Sequence, residues 1–234
     1  YHDENYLGWL GVVRERGHGA VVEALQDAIA LRYGPLVDAD DLHQAARDGD
    51  TERVQALVDQ DPERVKHADA IGCTALHWAV EGNHLGSVRA LVEAGARVDA
   101  RRGDGRTPAL VAVFGFHRYW RREDKPEILR YLLDAGAEYT LLIAAAIGDA
   151  ERVNELLRAD PTSAHALDPV GRRPLSGAVE SGNAAIVRRL LTSHADPNAR
   201  ELLCGGGLAL RTACVAGATD MVELLLDYGA NPEL

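Results

Sequence analysis

Apolar positions recur three and four residues apart in short bursts along the chain, as at Val88, Leu91 and Val92, the spacing that puts them on one face of a helix. Each burst is cut by glycine or asparagine and then begins again. The stretch "GCTALHWAVEGNHLGSVRALVEAGA" from Gly72 reads as turn, short helix, Gly-Asn, longer amphipathic helix, glycine. The same order returns in "GRRPLSGAVESGNAAIVRRLLTSHADPN" from Gly171. Helices this short bury their apolar stripes only against neighbouring pairs, which predicts stacked helical units.

The bursts are periodic. At an offset of 99, three times 33, "GDTERVQALVDQDPERV" from Gly49 lines up with "GDAERVNELLRADPTSA" from Gly148, and the match runs on through Gly72 with Gly171, Ala79 with Ala178 and Val88 with Val187. A fixed period of this length marks a repeat architecture. Ala45, Ala79, Ala112, Ala144, Ala178 and Ala213 anchor six units, spaced 34, 33, 32, 34 and 35 residues apart. That regularity hides two opposite defects. Ala112 to Leu129 spans 17 residues where Ala79 to Val88 spans 9, so residues are inserted at about 116–125; Gly136 to Leu141 spans 5 where Gly95 to Ala109 spans 14, so the fourth unit has lost its hairpin.

The "TALH" and "TPAL" turns and the "GA…D" and "GANP" endings resemble ankyrin repeats. The resemblance covers residues 41–234 and implies an all-α, mainly helical repeat solenoid with short β-turn or hairpin loops, six repeats forming one domain. Residues 1–40 do not match. Their "AVVEALQDAIALRYG" segment reads as an amphipathic helix ending at Gly34 and Pro35, expected to cap the first repeat.

In ankyrin repeats the concave face, made of hairpin tips and the ends of the first helices, holds partners. Carried over by position, it comprises Arg47 and Asp48, Glu81 and Gly82, Phe114 and Gly115, Ala146 and Ile147, Glu180 and Ser181, Val215 and Ala216. Its middle is apolar and carboxylates flank it. Leaving Phe114 or Ile147 in water forfeits about 1.5–3 kcal/mol each relative to burial, and the inserted Phe116, Tyr119 and Trp120 are the nearest cover. Insertion and missing hairpin together predict a local apolar pocket at repeats three and four, of the kind small ligands occupy.

Charge narrows the partners. A formal net charge of −11 and a pI near 5.2 argue against a phosphate backbone or an anionic membrane surface. Three cysteines without C-x-x-C spacing suggest neither a disulfide framework nor a zinc site and fit a reducing cytoplasm. "YLGWLGVV" follows acidic Asp3 and Glu4 rather than a basic region, so no secretion signal is read.

Phosphate-binding, zinc-protease and nucleophile-elbow motifs are missing, so no cofactor and no metal are expected. The "CGGGLA" run from Cys204 sits in a degenerate repeat turn and reads as backbone geometry. Among nine histidines, His43, His77 and His84 fill repeat slots that imply turn hydrogen bonds. His117 has no repeat role and is either a solvated loop residue or an acid–base group. Glu81 and Glu180 hold corresponding positions; in apolar surroundings they would serve general acid–base chemistry, and otherwise they are ordinary acidic surface. The catalytic candidates are therefore Glu81, His117 and Glu180. Ligand-binding candidates are Asp48, Trp78, Phe114, Phe116, Arg118, Tyr119, Trp120, Tyr139 and Ile147, with Trp78 read first as a core residue packed on the next repeat and the arginines equally paired with their own loop's carboxylates. Two functions follow. One is a recognition protein binding a protein partner in the concave groove. The other is a small-molecule enzyme on the same scaffold, performing dehydration and conjugate-addition cyclisation of a polyketide-like substrate by proton transfer alone.

Overall fold

A computed structural model describes residues 41–115, 125–169, 171–201 and 208–234. The expected N-terminal capping helix, the body of the insertion and the Cys204 glycine run lie outside the described residues. Among those described are twelve α-helices in six consecutive pairs. The first unit holds α1 (Asp41–Asp48) with α2 (Thr51–Gln60), α3 (Ala75–Glu81) with α4 (Leu85–Glu93), and α5 (Pro108–Phe114) with α6 (Pro126–Asp134). In the second are α7 (Leu141–Ile147) with α8 (Ala150–Ala159), α9 (Pro174–Ser181) with α10 (Ala184–Thr192), and α11 (Leu208–Val215) with α12 (Thr219–Asp227). Packing groups the chain into two compact units that meet in sequence at Glu138 and Tyr139.

Every anchor alanine is buried, none more than 2% exposed. Within the first unit α1, α3 and α5 pack side by side, as do α2 and α4; within the second, α7, α9 and α11 do so, as do α8 and α10. A methyl group at each anchor lets first helices approach closely. Gly177 marks one such close approach, because a Cβ there would lie 3.0 Å from Leu142 Cδ1 and 3.4 Å from Ala146 Cβ.

Turn chemistry repeats with the sequence. Asp50 and Asp149 each cap the following helix, accepting from Arg53 N–H at 3.0 Å and Arg152 N–H at 2.9 Å, which satisfies an otherwise orphaned first-turn donor. Gly49 and Gly148 precede these caps at φ of 76° and 81°, the left-handed region where glycine alone carries no Cβ penalty. Asp61 and Asp160 then cap short 3-10 turns at Pro62–Lys66 and Pro161–His165. Between α6 and α7 only residues 135–140 intervene, against 94–107 between α4 and α5. The expected loss of a hairpin is present, and Thr140 starts α7 directly by accepting from Ile143 N–H at 3.3 Å.

Candidate functional site

The interior polar groups are committed to holding repeats together. His77 is fully buried; Thr74 N–H donates to its Nδ1 at 3.2 Å, so Nε2 carries the proton and donates to Arg106 O at 3.1 Å. His43 Nε2 lies 3.1 Å from Cys73 O, and His84 Nε2 lies 3.1 Å from Arg47 O. Each of the three bridges one pair to the next within the first unit. Burial lowers His77 to about 4, because a charged imidazole there would lose its water. The Cys73 thiol, also buried, is pushed up by burial and then by Asp69, the condition of an inert rather than a reactive cysteine.

Predicted site residues divide by unit. In the first, Asp48 is exposed and accepts both Gln44 Nε2 contacts, at 2.9 and 2.8 Å. Trp78 is half-buried: its Nε1–H donates to Asp69 Oδ2 at 2.8 Å and the Arg47 guanidinium lies 5.0 Å over its ring. Phe114 is buried at 5% exposure. Glu81 closes α3, where Lys125 Nζ donates to its backbone oxygen at 2.8 Å and sits 3.7 Å from its carboxylate.

In the second unit, Glu180 forms an ion pair with Arg172. Ile147, at the end of α7, is half-buried. Tyr139 O–H donates to Asp149 Oδ2 at 2.7 Å while the Arg152 guanidinium stacks 5.3 Å over its ring. Burial and then the Asp149 bond push the Tyr139 hydroxyl above the usual tyrosine range. Burial also acts to raise Asp149, but the Arg152 N–H and Tyr139 hydrogen bonds outweigh it and hold the carboxyl below its ordinary value. Phe116, His117, Arg118, Tyr119 and Trp120 lie outside the described residues.

Both acid–base candidates that are described are thus met by a cation, an arrangement of ion pairs rather than of carboxyls in apolar walls. Among the described residues no three His, Cys, Asp or Glu side chains are grouped as metal ligands, and no helix is long and apolar enough to cross a membrane.

Sequence reasoning missed two polar clusters. Arg102 grips Asp104 through Nε at 2.8 Å and Nη2 at 2.6 Å, while Arg106 Nη1 donates to Gly115 O at 3.0 Å; both arginines are only 4% exposed. Arginines and an aspartate alternating in "RRGDGR" were the available signal. Arg106 thus holds Gly115, and the Lys125 N–H, donating to Ala112 O at 3.2 Å, holds Lys125; these are the described residues on either side of 116–124. The second cluster is Ser176 with Glu201, at 2.8 and 2.9 Å.

Comparison with known proteins agrees with this geometry. A model described as ankyrin repeats (3 copies) matches residues 42–142 and again 141–234. The chain is 29% identical over 205 residues to the E3 ubiquitin-protein ligase XBAT33 of Arabidopsis thaliana, covering 85% of this chain and 38% of that protein. To human Rabankyrin-5 it is 29% identical over 162 residues, 68% of this chain and 14% of that one. The chain therefore spans well under half the length of these relatives. Among solved structures, the human ASB11 ankyrin repeat domain superposes with a TM-score of 0.53 at 25% identity, covering 82% of this chain and 85% of that one. The structure of the Bd0816 predatory endopeptidase from Bdellovibrio bacteriovorus in complex with immunity protein Bd3460 contains a chain with the same fold, at a TM-score of 0.56, 21% identity, and 82% and 99% coverage. With the repeat model matching end to end across the described helix pairs, the chain belongs to the ankyrin-repeat family.

Proposed function

We propose that this ankyrin-repeat chain is a protein-recognition module whose partner is a protein seated on the ends of the first helices and the neighbouring turns. One observation carries the reading: a uniform scaffold presents a non-uniform face. The six anchor alanines are alike and buried. Two and three residues further on, at fixed positions, the chemistry changes from repeat to repeat: exposed Arg47 and Asp48, half-buried Glu81, buried Phe114, half-buried Ile147 and Glu180, exposed Val215 and Ala216. Packing needs explain the first set. Packing does not call for the exposed Arg47, Asp48, Val215 and Ala216, and varied side chains at fixed positions of a repeated scaffold are what selective recognition requires.

Photo-crosslinking tests this. A crosslinking amino acid placed at Asp48, Ser181 or Val215 should trap one and the same partner protein, whereas placement at Glu127 on α6 or Asp220 on α12 should not. Crosslinks confined to the latter two positions would overturn the assignment.

A further inference from the structure

The face made by the second helices carries its own candidate site, separate from the first-helix ends. Between α2 and α4 runs a groove of about 400 Å³ lined by Gln55, Val58, Asp59, Pro62, Ala90 and Glu93. Val58 and Ala90 are its buried floor, 4% and 7% exposed, and the two exposed carboxylates are its rim. Gln55 Nε2 donates to Asp59 Oδ1 at 2.9 Å, which leaves the Gln55 carbonyl oxygen and Asp59 Oδ2 as acceptors. Neither carboxylate has an ion-pair partner among the described residues.

The internal repeat shows what such a space takes. Residues 99 further on supply the equivalent place in the second unit: Asn154 for Gln55, Leu157 for Val58, Arg158 for Asp59, Arg189 for Ala90 and Thr192 for Glu93. There Arg189 reaches from α10 to α8 and donates from Nε to Asn154 Oδ1 at 3.1 Å. In the first unit the bridging arginine is reduced to Ala90 while the amide acceptor is kept, and the rim exchanges Arg158 for Asp59 and Thr192 for Glu93. The first unit thus lacks the arginine and carries added negative charge at one place.

We propose that the α2–α4 groove receives an arginine side chain from a protein partner, its stem on Val58 and Ala90 and its guanidinium between Gln55, Asp59 and Glu93. A planar guanidinium with five donors suits an amide oxygen flanked by two carboxylates, and its methylene stem suits an apolar floor.

The experiment is an amide NMR titration of the full chain with the blocked peptide Gly-Gly-Arg-Gly-Gly, using Leu-centred and Glu-centred peptides as controls. Saturable shifts at the Gln55, Asp59, Glu93 and Ala94 amides are expected from the arginine peptide alone. Ala90→Arg should abolish them by supplying the missing arginine in cis. Asp59→Asn and Glu93→Gln should each weaken binding by about two- to fivefold, the range of an exposed ion pair, and added salt should weaken it further. If Ala90→Arg fails to fold, the two rim variants decide. The proposal is overturned by absent shifts, by equal shifts with the leucine peptide, by shifts that survive Ala90→Arg, by an affinity that neither rim variant lowers, or by protein-concentration-dependent shifts at these amides without peptide, which would mark a second copy as occupant.

Discussion

Ser176 Oγ lies 2.8 and 2.9 Å from the two carboxylate oxygens of Glu201, at the place where, 99 residues earlier, His77 bonds a backbone carbonyl. A serine cannot span the gap an imidazole spans, so the following turn sends a carboxylate inward. Burial raises Glu201 above its ordinary value, only partly offset by the Ser176 hydrogen bond and then by Arg172. A carboxyl whose folded value is raised binds its proton more tightly when folded, so its contribution is full in acid and declines as pH rises through the ordinary carboxylate range. Glu201→Gln is therefore expected to stabilise the chain at pH 7 and to make no difference near pH 4. Glu201→Ala should instead cost no more than about 0.5–1.5 kcal/mol, the net worth of one hydrogen bond, because the Ser176 hydroxyl keeps Arg173 O as its acceptor at 2.9 Å. Urea unfolding at both pH values checks this; a Gln variant that is less stable at pH 7 than at pH 4, relative to the native chain, would refute the sign.

His77 gives the opposite pH dependence. Its folded value, about 4, lies below the ordinary imidazole value, so its contribution is intact above pH 6.5 and is lost as pH falls toward 4. The full loss amounts to roughly 3 kcal/mol, because a charged imidazole at this buried site is stripped of its water. His77→Gln should lower stability at pH 7.5 yet show a flatter pH profile between 6.5 and 4. A parallel profile in the variant would show that other groups govern the acid limb.

The repeat skeleton was legible because it is local: glycine at left-handed turns, aspartate at caps and alanine at the close approach are each required by backbone within a few residues. His43, His77 and His84 were legible for the same reason, their slots being defined by turn geometry. The ion-pair partners of Glu81 and Glu180 were not legible. Lys125 reaches Glu81 across 44 residues, through an irregular segment that no repeat template places, and a periodic pattern fixes a residue's position without naming its neighbour. Phe114, expected to need cover, is buried.

Tyr139 was a ligand-binding candidate, yet its hydroxyl and ring are both occupied within its own unit. Removing the hydroxyl deprives Asp149 of one hydrogen bond while Arg152 N–H continues to cap the carboxylate. Tyr139→Phe should thus cost about 0.5–1.5 kcal/mol in urea unfolding and leave partner crosslinking at Asp48 unchanged. A loss of crosslinking without loss of stability would restore Tyr139 as a contact residue.

Lys125 and Glu81 are the pair on which the acid–base reading and the structural reading diverge most. Glu81 has a carboxylate oxygen that is buried and makes no hydrogen bond, with the Lys125 ammonium 3.7 Å away as its counter-charge. Lys125→Met strips that charge and the donor to the α3 carbonyl, and is expected to destabilise by about 1–3 kcal/mol, as for a buried group left unpaired. Glu81→Gln alone should cost less, since Lys125 keeps the backbone oxygen. In the double variant the penalty should fall short of the sum of the single ones, the coupling of a shared ion pair. Strict additivity in this cycle would mean that Lys125 serves only the carbonyl, and would leave the Glu81 carboxylate without a structural partner.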